Sequence, residues 1–294
     1  MFETEREVLE WYERQPRALT AEFLRDVDWR EAARHALDPA FVPVLKYMRD
    51  VESYTEIYHR ELLRTPTGKD PAIARFMERW VAEEDDHGEL LNRFLAEAGA
   101  ETCDDWRAEA RAAVPARYTL GTYASTFITN LFGRRFAGAH MVWGAVNELT
   151  TLQGYRRLWQ AARHPLLEKL LRAVAREESA HANFYLAVAR VKLLRSRVSR
   201  RLARGAVERF WTPVGEGAKP RRDTDYVIRT LFGGREGLEF FDARVSRRVR
   251  SLPGFEGIQT FTRRMAEAGR ARVEGAAPGQ SVARGDAPAL GAAT

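Results

Sequence analysis

The chain has 294 residues, a formal net charge of +6, 45% hydrophobic residues and one cysteine, Cys103. That length and apolar content suffice for one large domain or two small ones, while the lone cysteine excludes a disulfide framework and any thiolate cage for zinc or an iron–sulfur cluster. No run of about 18 apolar residues occurs, so no membrane span is expected, and the excess of positive charge suits an acidic partner, either nucleic acid or an acidic carrier or electron-transfer protein.

The N-terminus, Met1-Phe2-Glu3-Thr4-Glu5-Arg6, begins acidic and lacks the basic start and apolar run of a secretory signal. A cytoplasmic protein is the simplest expectation. Ala, Leu, Arg and Glu dominate the rest of the chain, and alternating β-branched runs are missing, which predicts an all-α chain. Asp38-Pro39 precedes a helix over Phe41–Arg64, with Pro43 tolerable in its first turn, and Thr65-Pro66-Thr67-Gly68 stops it. Asp70-Pro71 then reads as an N-cap with proline at the first helical position. The helix it opens carries Ile73, Phe76, Met77, Trp80, Val81, Glu84, His87, Leu91 and Phe94 along one stripe.

Residues Glu101–Arg135 hold one or two shorter helices, so the design is not a simple up-and-down bundle. Long helices follow over Phe136–Ala162 and Leu166–Leu194, separated by His164-Pro165. Shorter helices are expected over Val198–Phe210, Asp223–Leu231 and Arg235–Arg248. Residues 1–268 read as a single domain. The Ala, Gly, Pro and Arg composition of 269–294 offers little to bury, and that tail is expected to be disordered.

Two copies of Glu-x-x-His, Glu84-Asp85-Asp86-His87 and Glu178-Ser179-Ala180-His181, lie within these long helices. Residues three apart share a helix face, so each copy aims a carboxylate and an imidazole at one point. Two such helices, each joined by a further Glu from another helix, hold a pair of iron or manganese ions in four-helix bundles. The candidates for the further carboxylates are Glu148, set among apolar residues, and Glu52, whose face is only partly apolar. Glu56 competes with Glu52, because Glu56-Ile57-Tyr58-His59 is a third Glu-x-x-His on the same helix. A lone copy on a charged helix is usually a solvated pair, but two copies on apolar stripes need a cation, since a buried carboxylate is costly unless paired or metal-bound. Oxygen-rich ligands with two imidazoles favour iron or manganese over structural zinc. His35, His140 and His164 are not expected to be ligands, and Tyr54, Trp143 and Trp159 are expected to pack the core.

Trp80-Val81-Ala82-Glu83-Glu84-Asp85-Asp86-His87-Gly88-Glu89-Leu90-Leu91-Asn92 closely resembles the motif Trp-x-Ala-Glu-Glu-Asn-Arg-His-Gly-Asp-Leu-Leu-Asn of the soluble acyl-carrier-protein fatty acid desaturases. Asp85 and Asp86 depart from its Asn-Arg. Glu177-Glu178-Ser179-Ala180-His181 resembles the family's Asp-Glu-x-x-His, and Asn147-Glu148-Leu149-Thr150-Thr151 its Gln-Glu-x-x-Thr. Tyr58-His59-Arg60-Glu61-Leu62 resembles the stretch that follows the first ligand Glu in bacterial members, which favours Glu52 over Glu56. The resemblance covers Phe41–Leu194 and implies a ferritin-like four-helix bundle core with additional helices. It implies a diiron centre in which Glu84 and Glu178 bridge, Glu52 with His87 and Glu148 with His181 complete the two ends, and Thr151 lies beside the oxygen site.

The implied reaction is desaturation of a fatty acyl chain tethered to acyl carrier protein, with O2 and electrons from ferredoxin, in a protein that is commonly a homodimer. Both partners are acidic, and Arg190, Lys192, Arg195, Arg197, Arg200, Arg201 and Arg204 form the densest basic cluster for docking them. Alternatives are another diiron oxidation, such as hydroxylation, N-oxygenation or C–C cleavage, an iron-storage bundle, or a nucleic-acid binder. The chain is too long for a storage bundle, and it lacks a recognition motif for nucleic acid.

Overall fold

The computed structural model describes residues 2–270, and it is all-α: among the described residues there is no strand. The principal helices are α1 (Glu5–Glu13), α2 (Val42–Ser53), α3 (Thr55–Leu63), α4 (Pro71–Glu97), α5 (Ala116–Phe132), α6 (Ala137–Ala162), α7 (Pro165–Arg195), α8 (Arg197–Phe210), α9 (Arg221–Phe232) and α10 (Thr260–Arg270). No helix among the described residues is long and apolar enough to cross a membrane. Gly269 and Arg270 close α10; the rest of the tail expected from 269 onward lies outside the described residues.

Two of the long elements, α4 and α7, begin at side-chain caps. The Asp70 carboxylate accepts from the Ala72 amide ahead of α4. His164 caps α7, its Nδ1 accepting from the Leu167 amide while Nε2 meets the Ala32 carbonyl at 3.2 Å. This histidine is therefore a structural cap joining α7 to the Glu31–Arg34 turn.

Helices α2, α4, α6 and α7 form the bundle, with α2 on α4 and α6 on α7 as the two hairpin pairs. Small residues let α6 and α7 come close: Ala139, Ala145, Ala173, Ala182 and Ala189 are all buried. At Gly144 the approach is closest. A Cβ there would lie 2.2 Å from Cε1 of Tyr185, so only glycine fits. Gly88 of α4 likewise leaves room for the buried Trp106 ring, which a Cβ would meet at 2.4 Å.

The helix expected over Phe41–Arg64 is interrupted at Tyr54. Ser53 and Thr55 both turn their hydroxyls onto carbonyls three residues back, Asp50 and Glu52, and such back-bonding competes with the helical ladder. The expected Arg235–Arg248 helix is also divided, into Gly234–Phe241, a π-turn over Asp242–Ser246 and Arg247–Arg250. Beyond α8, the chain returns to the bundle: α9 packs on α2 and α6, and α10 on α9. Helix α5 is largely exposed, with Leu120, Phe127 and Leu131 each more than 65% accessible.

Candidate metal centre

The final turn of α2 carries Glu52, α4 carries Glu84 and His87, α6 carries Glu148, and α7 carries Glu178 and His181. Their donor atoms form two groups that share two members. Glu52, Glu84, His87 and Glu178 form one, and Glu84, Glu148, Glu178 and His181 the other, with atoms inside each group within 4.8 Å of one another. All six side chains are at most 6% exposed. Glu56, the competitor of Glu52, lies on the far side of the Tyr54 break and pairs with Arg111 at 2.5 Å near the surface. His59 is not in either group.

Nδ1 of each imidazole faces inward. For His87 it lies 3.2 Å from Glu84 Oε2 and 3.2 Å from Glu178 Oε1; for His181 it lies 3.1 Å from Glu84 Oε1 and 3.5 Å from Glu148 Oε2. Several of these buried atoms have no aligned hydrogen-bond partner, namely both oxygens of Glu178, Glu84 Oε1 and His181 Nδ1. Orphaned acceptors at this depth are rare and costly, and a cation between them removes the cost. Four carboxylates balance two divalent ions in charge. Oxygen and imidazole donors of this kind suit iron or manganese, so the residues present fit a two-metal centre.

Without metal the site is electrostatically frustrated. Burial, with Glu84 and Glu178 alongside, pushes the Glu52 carboxyl well above the usual range, burial with Glu84 does the same at Glu148, and the same two causes raise Glu178. Burial also opposes charge on Glu84, yet contacts from His181 and His87 hold its carboxyl below the usual range. Burial disfavours charged imidazoles too, but neighbours outweigh it. Glu177, Glu178 and Glu84 raise His87, while Tyr12, Glu148, Glu83 and Glu84 raise His181. Protons on the rings thus do part of the work that metal ions would do.

An outer layer of carboxylates was not singled out by the motif spacing. Glu177 Oε2 holds His87 Nε2 at 2.9 Å, and Glu83 Oε2 holds His181 Nε2 at 2.6 Å. The pairing is crossed, each helix's outer Glu serving the other helix's His. A Nε2–H donated outward fixes the tautomer and leaves the Nδ1 lone pair for a metal. Tyr155 donates to Glu52 Oε1 in the same supporting manner. The signal for the outer layer was present in the sequence as the doubled Glu83-Glu84 and Glu177-Glu178; the signal for Tyr155 was not. Asp85 and Asp86, the two departures from the resembled motif, point outward and pair with Arg107 and Arg17.

A cavity borders the inner carboxylates. One arm, about 780 Å³ of atom-free space partly open to solvent, is walled by Glu52, Glu84, Glu148 and Glu178 with Tyr58, Trp80, Trp143 and Tyr185. Tyr54 and Trp143, expected as core packing, thus also wall the cavity. A second arm, whose roughly 500 Å³ of atom-free space includes open solvent, lies between α2, α6, α9 and α10 and is lined mostly by apolar groups, among them Met48, Gly154, Ile228, Leu231 and Met265. Val51, Glu52, Thr151 and Val214 line both spaces, so Thr151 stands between them, beside the carboxylates.

Of the seven residues in the expected basic cluster, four are engaged within the protein. Arg190 binds Ser251, Lys192 pairs with Glu5 and Asp70, Arg195 with Glu5, and Arg204 with Glu208. Arg197, Arg200 and Arg201 of α8 make no ion pair among the described residues.

A family model described as fatty acid desaturase matches residues 16–202, a span that contains all six inner donors, both outer carboxylates and Thr151. No curated protein and no solved structure matches the chain.

Proposed function

Because this chain belongs to the fatty acid desaturase family, we propose that it desaturates a fatty acyl chain carried on acyl carrier protein at a diiron centre held by Glu52, Glu84, His87, Glu148, Glu178 and His181. One O2, two electrons from ferredoxin and two protons accept the two hydrogens of adjacent methylenes, giving a double bond and two waters. A bound, reduced iron pair supplies the O2-derived oxidising power that an unactivated C–H bond demands and side chains lack.

The observation that carries this reading is the pair of overlapping donor groups in the wall of a cavity whose second arm is apolar. The chain's own residues have separable tasks. Met48, Ile228, Leu231 and Met265 bind the apolar end of the substrate and exclude water, which holds particular carbons beside the carboxylates. Thr151 carries a hydroxyl between the two arms and passes a proton toward the centre. Arg197, Arg200 and Arg201 offer unpaired positive charge to an acidic carrier or ferredoxin. Two copies associate as a homodimer in the cytoplasm. The exposed Leu120, Phe127 and Leu131 of α5 support this, because an apolar patch of that kind marks a contact surface.

The test is to incubate iron-loaded protein with reduced ferredoxin, O2 and palmitoyl- or stearoyl-acyl carrier protein, and to analyse the released acids. A monoenoic acid that requires O2 is expected. Hydroxylated or cleaved products, or turnover of free acids or amines only, would move the chain to another diiron oxidation. Charge reversal at Arg197, Arg200 and Arg201 should weaken carrier-protein affinity; unchanged affinity removes the docking role.

A further inference from the structure

The segment that precedes the bundle reaches its outer carboxylate layer. Residues 12–19 lie across the outside of Glu83 and Glu177, both under 4% exposed. Tyr12 donates its hydroxyl to Glu83 Oε2 at 2.6 Å. The amides of Ala18 and Leu19 donate to Glu177 Oε1 at 2.7 and 3.2 Å. Between them Arg17 touches both carboxylates, with Nε 3.2 Å from Glu83 Oε1 and 3.0 Å from Glu177 Oε1, while its NH2 group is held by Asp86 at 2.6 Å. Arg79 pins the segment from below, donating to the Tyr12, Glu13 and Gln15 carbonyls and the Glu83 carboxylate.

We infer that this N-terminal arm is a working part of the metal centre and that Arg17 is the positioning residue for both imidazoles at once. The inference rests on the metal reading above. Each imidazole is aimed by one outer carboxylate, and one guanidinium is shared by the two carboxylates. Arg17 is thus the one group among the described residues in contact with both carboxylates that aim the rings. The charges divide into two layers. Glu83 and Glu177 are balanced by Arg17 and Arg79, which leaves the four inner carboxylates to two divalent ions. Removing Arg17 leaves Glu83 to Arg79 and Tyr12 and leaves Glu177 with two backbone amides and no cation, so the carboxylates behind both rings lose the partner they have in common. Partners of this type alter metal affinity by roughly 10- to 100-fold. The coupling is reciprocal, so metal in the centre must also hold the arm down.

The experiment titrates Co2+ into the full-length wild type, Arg17→Gln, Arg17→Lys, Glu83→Gln and Glu177→Gln proteins, reading stoichiometry, affinity and the visible cobalt bands. The wild type should bind two ions. Arg17→Gln should weaken both about 10-fold and shift both sets of bands, Glu83→Gln mainly the His181 end, Glu177→Gln mainly the His87 end, and Arg17→Lys should recover part of the loss. Hydrogen exchange on the wild type supplies a readout independent of any variant's folding: the Ala18 and Leu19 amides should gain protection on cobalt loading. Wild-type affinity and bands in Arg17→Gln, weakening of one ion only, or unchanged exchange at Ala18 and Leu19 would each overturn the inference while leaving the metal centre standing. A wild type that takes up no cobalt would overturn the metal reading itself.

Discussion

Replacing Glu178 by Gln should move the metal-free and metal-loaded proteins in opposite directions. Both Glu178 oxygens are buried and without an aligned partner, and its donor atoms lie within 4.8 Å of those of Glu84 and the end carboxylates. At that separation and an effective dielectric of about 20, two full negative charges repel by about 3.5 kcal/mol. The imidazoles offset part of this, while burial and Glu84 already disfavour the charged form of Glu178, so a net relief of about 1–3 kcal/mol is expected from the neutral isostere. For domains of roughly this size each kcal/mol moves Tm by about 2–4 °C, which predicts a metal-free variant melting about 2–12 °C above metal-free wild type. The loaded variant lacks a donor common to both donor groups, and every tenfold loss of affinity removes about 1.4 kcal/mol of linked stability. Melting should be followed with chelator present, then with two equivalents of ferrous iron added anaerobically. A metal-free variant that melts below wild type, or an iron-induced rise equal to wild type's, refutes the idea that these carboxylates are strained for want of metal.

Three other outcomes are expected. Thr151→Val should keep iron binding but raise O2 consumed per double bond formed, measured with an oxygen electrode beside product analysis; unchanged coupling removes the proton role. Gly154→Leu places a side chain in the apolar arm, where an added Cβ would lie 3.5 Å from Met48 Cε, so the preferred acyl chain should become shorter in competition assays; an unchanged preference would show that the tail does not lie there. Burial pushes His140 down to about 4, whereas the unfolded chain titrates near 6.5. The unfolded state therefore binds the proton first: this group's stability is complete above about pH 6.5 and falls as the pH drops toward 4. His140→Gln should shrink the urea-measured stability loss between pH 7.5 and 4.5 by about 2 kcal/mol; an equal loss in both proteins contradicts the buried neutral ring.

Helical periodicity and caps made most of the architecture legible, because both act locally. The Asp70-Pro71 and His164-Pro165 signals fall at the observed starts of α4 and α7. The break at Tyr54 was not legible, since Ser53 and Thr55 hydroxyls sit in many unbroken helices, and their effect here depends on competition with a ladder weakened from both sides. That break also explains why Glu52 and Glu56, four residues apart, do not share a face as spacing alone suggests. The outer carboxylates escaped because a residue adjacent to an inward one points about a quarter turn away, and only packing shows that it meets the other helix's histidine. The basic cluster read as one stripe, but Lys192 and Arg195 fold onto Glu5 near the opposite chain end, a pairing no local pattern contains.

The walls of the apolar arm come from two parts of the chain. The family match ends at residue 202, yet eight of the fifteen residues around that arm, including Ile228, Leu231, Phe232 and Met265, come later in the chain. Under the proposed function, the residues for oxidation lie inside the matched span while most of those that would shape the substrate lie beyond it, which makes the two parts separable in principle. A lineage that keeps residues 16–202 and exchanges the C-terminal helices would retain its reactivity while changing the molecule it works on, and chimeras joined in the α8 region offer the laboratory the same freedom.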